Sequence, residues 1–439
     1  MSFVLGKGSL DRLTIRSTRG KAETNLSSLA TMITFYEDMF TPFMSCDVQI
    51  TDGASLRTQT EAGIIGGELV SVDMGDGGGG RKLKSDFFVR DITNITKIKP
   101  DVETYTLRLT ALHDLYDAPT TLNGSYTGEI EKSIEKVITE FITPKTKKKL
   151  ITKEASLGIQ SIIASQITPL AFIKQLTREA QSKTNPSSLY FFYETVEGYH
   201  FITIDELFSK SVPNTHKFIH DELSTSQYSP GASGRLSTNI LNLQIDETPS
   251  IGSLQDQGVS SQTYSLDTLT RKRTIIENYY DESFKGAKGD NPNFPTATSK
   301  QFFGNSKGKL SDKGGTAQHY IIGSNPNTLP YVSNRDPSMD TTFRHRQSFA
   351  AIETMTKALY GARRKHISIY GNPNIKPGDT IDLALPMTTS SNEKNKNNPD
   401  DSGKHIATAV KHVIQMAEGK YETVIECMKR GSDKPIDKY

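Results

Sequence analysis

The chain has 439 residues, of which 52 are basic and 50 acidic, for a net charge of +2. That balance gives no global field to select nucleic acid or an anionic membrane. No apolar run reaches the ~18 residues of a spanning helix, and the two cysteines, Cys46 and Cys427, exclude a disulfide scaffold or a thiolate zinc site.

The length predicts two to four domains at roughly 100–200 residues each. The opening MSFVLGKGSLDR lacks the basic-then-apolar pattern of a signal peptide, and so few cysteines fit a reducing compartment. The first ~120 residues read as strands. Met44, Cys46, Val48 and Ile50 alternate with Ser45, Asp47 and Gln49, one apolar and one polar face. The same period of two recurs at Val70, Val72 and Met74 and at Tyr105, Leu107, Leu109 and Ala111, with a weaker case at Ile33 and Phe35. An antiparallel barrel or sandwich is the natural reading. The glycine run at residues 75–80 predicts a mobile hairpin tip.

Ile130, Ile134, Val137, Ile138 and Phe141 follow the spacing of one helix face, and Pro144 with the lysines at 145 and 147–149 is expected to end it. A second helix opens at Thr168-Pro169, an N-cap residue followed by the residue best tolerated at the first helical position. Strands over residues 189–196 and 199–204 flank Glu197-Gly198 as a hairpin. From residue 224 to about 340 the composition turns polar, with short apolar islands at residues 240–243 and 275–276. Residues 285–334 predict a long loop, an insertion ordered by a partner, or disorder. A helix is expected over residues 342–364. The last ~75 residues return to strands: Ile367 and Ile369, then Ile381, Leu383 and Leu385 after the turn Pro377-Gly378, and finally a hairpin around Glu418-Gly419. No sequence repeat of short period is present, yet two β regions flank a central module.

A search for chemistry is negative. G-x-S-x-G occurs once, at residues 304–308, inside the polar stretch and away from the strand-to-helix turn that a nucleophile elbow requires, and there is no H-E-x-x-H pair. His405 and His412, seven apart on a predicted strand, fall on opposite faces of an unbulged strand and read as solvent or rim histidines. The segment 75–82 resembles a phosphate loop only superficially, because Arg81 and Lys82 stand where Lys and a hydroxyl residue are required. Basic clusters at 145–149, 271–273, Arg344 with Arg346, and 363–365 read as solvated faces and helix ends.

Three segments resemble a known family, the baseplate hub (tail hub) proteins of contractile-tailed bacteriophages. The first is ITFYEDMFTPFMSCDVQITDG followed by GIIGGELVSVDM, in which Glu37, Asp38, Phe40, Pro42, Asp52, Gly53, Ile65, Gly67 and Glu68 match the family pattern. The second, TPLAFIKQLTREAQ with LYFFYETVEGYHFITIDEL, is similar to the helix-then-hairpin module of hub proteins, late-control tail proteins and secretion-system spike proteins. The third, YGNPNIKPGDTIDLALP with GKHIATAVKHVI and YETVIECMKRG, looks like the closing β domain.

The resemblance implies an α+β, mainly β chain. Two tail-tube-like antiparallel β-barrels, residues 1–122 and 341–439, would flank a helix-plus-hairpin module at 123–223 and a polar connecting region at 224–340. It implies a homotrimer whose six barrels adapt a six-fold tail tube to a three-fold spike around a channel for DNA. The implied partners are the tail tube protein, the central spike, and baseplate wedge and tape-measure proteins. No membrane and no sequence-specific nucleic acid are expected. The implied location is the virion tail baseplate, after assembly in the host cytoplasm. No catalytic, cofactor-binding or metal residue is implied. The alternatives are the hub of a phage-derived contractile injection system, a cell-wall hydrolase with a spatial carboxylate pair, or a nucleic-acid-binding module.

Overall fold

The computed structural model describes residues 6–18, 23–58, 63–77, 80–184, 188–220, 238–246, 260–268, 271, 273–279, 317–323, 364–386, 397–398 and 401–429. The first β region contains β1 (Ser9–Arg16), β2 (Glu23–Asn25), β3 (Ala30–Asp38), β4 (Ser45–Asp52), β5 (Leu69–Gly75), β6 (Leu83–Lys99) and β7 (Val102–Ala111). The central module follows as α1 (Leu112–Asp117), β8 (Leu122–Gly128), α2 (Ile130–Val137), α3 (Thr143–Thr146), β9 (Leu150–Lys153), β10 (Gln160–Ile167), α4 (Pro169–Glu179), β11 (Tyr190–Glu194), β12 (Tyr199–Thr203) and α5 (Ile204–Ser209). Then come β13 (Lys217–Ile219), β14 (Ile240–Asp246), β15 (Ser260–Asp267), β16 (Arg273–Tyr279), β17 (Ala317–Gly323), β18 (Arg364–Tyr370), β19 (Thr380–Ala384), β20 (Gly403–Gln415) and β21 (Lys420–Met428).

The period-two faces become the core of the first barrel. Val48, Ile50, Val70, Phe87 and Leu107 are fully buried, and Phe35 meets Phe87 edge-on at 5.5 Å. The strand path is β3-β4-β7-β6-β5-β1-β2. The Leu26 N–H donates to the Leu13 carbonyl and returns the path to the start of β3. The second barrel follows the same order, β14-β18-β21-β20-β19-β13. Ile219 of β13 bridges Asn239, just ahead of β14, and closes it. Its core holds Phe218, Ile240, Ile367, Ile381, Val410 and Ile425. Strand for strand, β3, β4, β5, β6, β7 and β1 correspond to β14, β18, β19, β20, β21 and β13. The internal symmetry, weak in the sequence, is a repeat of pairing order in the fold.

The two barrels are one continuous sheet. Past a bulge between Ala407 and Ala409, β20 leaves β19 and pairs with β3, from Ala409 opposite Asp38 to Gln415 opposite Met32. The far end of this hairpin also serves the first barrel: Ile414 and Tyr421 sit in that barrel's core, and Lys7 bridges Lys420.

In the module, α2 and α4 pack with β8–β10 and the β11–β12 hairpin around Ile134, Phe172, Leu176, Tyr190 and Phe201. The Thr168 hydroxyl caps α4 by accepting from Ala171 N at 3.4 Å, as the sequence predicts. The first helix runs through a π turn at Ile138–Ile142 into α3 and ends at left-handed Lys147, inside the lysine run expected to end it. Pro144 lies one residue past the π turn and three before the stop, so the chain leaves the helix within a turn of it.

The polar connection departs from expectation. β14 lies within it and joins the second barrel, while β15 pairs with β16 and β17 in a three-stranded sheet. Residues 317–323 are therefore strand, although 285–334 reads as loop. The remainder of 285–334, and the helix expected over 342–364 up to residue 363, lie outside the described residues. Arg364 begins β18.

Candidate functional site

The most organised polar network among the described residues joins all three parts of the fold. It lies where the two barrels meet the module. Glu37 follows Ile33 and Phe35 on the inward side of β3, two residues past the apolar core, and its side chain is fully buried. It accepts from the Arg81 guanidinium at 2.9 Å and from the Val196 backbone N–H at 2.8 Å. Arg81 follows the glycine run of the β5–β6 turn. Its backbone N–H donates to Asn374 Oδ1 at 3.2 Å, and its guanidinium donates to the Pro373 carbonyl at 3.1 Å. Its Nε lies 3.3 Å from Glu197 at the β11–β12 turn, and Glu197 in turn pairs with Lys376 at 2.7 Å. Burial works to raise the Glu197 pKa, but the hydrogen-bonded Lys376 ammonium outweighs it and holds the carboxyl below its ordinary value. Two carboxylates and two cations thus tie the first barrel, the module and the second barrel together. Beneath them Met39, Tyr193, Ile202, Leu207, Ile406 and Met428 form the apolar joint of the same three units. Gly378, at φ 83°, lets the β18–β19 turn lie against the Tyr193 hydroxyl, and a Cβ there would collide with it.

A second joint fixes the chain after β3. Buried Glu194 accepts from Lys148 Nζ at 2.8 Å and from Met44 N at 3.0 Å. His113 bridges the Tyr199 hydroxyl and the Pro42 carbonyl at 3.0 and 3.2 Å. Phe40 meets Phe191 edge-on at 5.8 Å.

The residues that carry the family resemblance are structural. Asp38 accepts from Phe40 N at 2.8 Å. Asp52 accepts from Ala54 N, Arg57 N and the Tyr105 hydroxyl, and Glu68 from Ile65 N and Gly66 N. Each acid supplies acceptors to turn N–H groups that have no strand partner, which is what buried turns demand.

Two expectations are corrected. The bulge in β20 flips the face on which residues project, so His405 and His412 both turn away from solvent and are fully buried. His412 lies 2.9 Å from the Tyr421 hydroxyl, and His405 lies 3.1 Å from Lys365 Nζ. Lys365 belongs to no solvated face: it is fully buried and pairs with Asp401 at 3.3 Å. Arg81, just past the glycine run, lies against the second barrel, while Gly78 and Gly79 of the expected hairpin tip lie outside the described residues. Of the other basic clusters, Lys148 is committed to Glu194, Lys145 lies 4.8 Å over the Tyr116 ring, and Arg344, Arg346 and Arg363 lie outside the described residues.

Both cysteines are buried and free, one in each barrel core, and burial pushes the Cys427 thiol up to about 12. No group of three or more His, Cys, Asp or Glu able to hold a metal is present among the described residues. No helix among them is long and apolar enough to cross a membrane.

The buried histidines set a pH dependence. Burial lowers His200 to about 4, helped by nearby Lys376, and His412 to about 3. The unfolded chain takes up these protons near pH 6.5, the folded chain only near those lower values. Below pH 6.5 the unfolded state therefore binds more protons, and stability falls as the pH drops from 6.5 to 4. Full stability is expected above pH 6.5, with a loss on the order of 3 kcal/mol per histidine by pH 4. Chemical unfolding at pH 7.5, 6, 5 and 4 measures it, and His412→Gln should flatten the slope.

No protein-family model and no curated protein matches the chain. Solved structures do. A tail protein from Neisseria meningitidis MC58 superposes with a TM-score of 0.50 at 9% identity, covering 96% of this chain and 97% of that one. The 43 kDa tail protein of prophage MuSo2 from Shewanella oneidensis superposes with a TM-score of 0.52 at 9% identity, covering 96% and 98%. The chain has the fold of phage tail proteins. At this identity the likeness is one of architecture, extends over nearly the full length of each tail protein, and agrees with the hub resemblance read from the sequence.

Proposed function

We propose that this chain is the structural hub subunit of a phage tail baseplate, acting as a homotrimeric adaptor and not as an enzyme. The observation that carries the reading is the repeated barrel: one chain holds two barrels of the same strand order, joined side by side in one sheet. Three such chains present six barrels to a six-fold tail tube while keeping three-fold symmetry toward a central spike, and the ring leaves an axial channel for DNA. Wedge and tape-measure proteins would bind its periphery and its channel mouth, and the assembled location would be the virion. A carboxylate–cation lock at the junction suits this role, because a ring that transmits load must not let its barrels pivot.

The test is the mass of the purified chain in solution, alone and after co-expression with the adjacent spike gene. A species of about 146 kDa, three times the 48.5 kDa chain, is expected in at least one of them. A monomer in both overturns the reading.

A further inference from the structure

A fully buried lysine is unfavourable unless its surroundings are built for it, and those around Lys365 are built in detail. Lys365 continues the period of two of the core residues Ile367 and Ile369 on β18, and its side chain is 0% exposed. Its Nζ lies 3.3 Å from Asp401 Oδ1 and 3.1 Å from His405 Nε2. His405 stands opposite Ile381 of the second core. Burial holds its pKa well below the ordinary histidine value, so the ring is neutral. Its Nδ1 lies 2.8 Å from the Gly403 carbonyl, which can only accept, so the ring proton sits on Nδ1 and Nε2 turns a lone pair to the lysine nitrogen. On the far side of the carboxyl, Asn398 Nδ2 donates to Asp401 Oδ2 at 2.6 Å. Asn398 is itself fixed by backbone hydrogen bonds to Leu385 and Ser402. Burial also lowers the Lys365 pKa, and a second cation, Lys429, lies nearby with its ammonium on the Ser402 carbonyl.

We propose that Lys365 and Asp401 condense into an isopeptide bond, with His405 as the base and Asn398 as the donor to the developing oxyanion. The ion pair first neutralises internally, the ammonium passing one proton to the carboxylate. The Lys365 amine attacks Asp401 Cγ and gives a proton to His405 Nε2, while the Asn398 amide meets the charge that develops on Oδ2. The imidazolium returns its proton to the departing Oδ1 hydroxyl, which leaves as water past Asp401, whose side chain is 14% exposed. One ammonium and one carboxylate become one amide and one water, with no other reactant. Nζ already stands within the ~3–3.5 Å of a near-attack arrangement from the carboxyl group, and its burial keeps bulk water from the amide once formed. The bond staples β18 to the turn ahead of β20.

Lys148 and Glu194, 2.8 Å apart, provide the contrast. The other partner of that ammonium is the Thr195 carbonyl, which cannot take a proton, so this pair stays ionic. The inference does not depend on the ring reading, because a monomer and a trimer carry the same bond.

The test is the intact mass of the denatured full chain, with peptide mapping. A wild-type mass one water below that of its sequence, a joined peptide holding residues 365 and 401, and no deficit in Lys365→Met or Asp401→Ala support the proposal. In His405→Gln the bond is expected to accumulate roughly a hundredfold more slowly after synthesis, the low end of general-base catalysis. A wild-type chain without the joined peptide, or one joined at Lys148 and Glu194 instead, overturns the proposal. A bond that forms at the wild-type rate in His405→Gln overturns the role of the imidazole.

Discussion

Arg81→Ala is expected to destabilise the protein by about 3–5 kcal/mol, because it leaves the Glu37 carboxylate buried with one backbone N–H in place of a guanidinium. The loss arises from an uncompensated charge, so removing its partner should restore much of it. A double variant, Arg81→Met with Glu37→Met, should recover at least half of the loss, since a buried ion pair replaced by apolar groups of similar volume is close to neutral. Urea unfolding of the three variants measures both quantities. A single variant within about 0.5 kcal/mol of wild type, the usual range for an unremarkable surface change, would show that the lock does not hold the junction. Glu197→Gln provides the contrast. Its side chain is 42% exposed, so the loss should stay within the ~1 kcal/mol of a solvated pair.

Val48→Lys is expected to unfold both barrels, not one. Val48 is fully buried in the first barrel, and an ammonium placed there without a partner costs more than about 4 kcal/mol. The β20–β21 hairpin belongs to both cores, through Ile414 and Tyr421 on one side and Val410 and Ile425 on the other. Loss of the first core therefore withdraws support from the second. Hydrogen exchange at β18 and β19 reads this out, since neither strand touches Val48's strand. Their amides should lose protection together with those of β4. Full protection of β18 and β19 beside an unfolded first barrel would show that the barrels are independent.

Strands β3, β4, β5 and β7 of the first barrel and β18 to β21 of the second were legible because apolar residues recur along them at a period of two. Met44 to Ile50 alternates without a break, and so do Tyr105 to Ala111. The α4 cap was legible because Thr-Pro at a helix start has a local cause. β14 was harder: Leu241, Leu243 and Ile245 alternate with Asn242, Gln244 and Asp246, but a single short edge strand in polar surroundings looks like loop. The bulge at residues 407–409 has no sequence signature, and with it went the placing of His405 and His412. The junction was the least legible part. Glu37, Arg81, Glu197 and Lys376 come from four separate turns and strands, and no spacing rule connects charges that only the assembled fold brings within 3.3 Å. The acids of the hub motif were found by resemblance, and their work as acceptors for turn N–H groups became visible only with the backbone around them.

The most direct test of the account is an image of the assembled particle by electron microscopy, at a resolution that separates individual barrels. Six barrels around one axis from three chains, alternating first and second, are expected. A ring in which each chain contributes one barrel to the circle would contradict the reading.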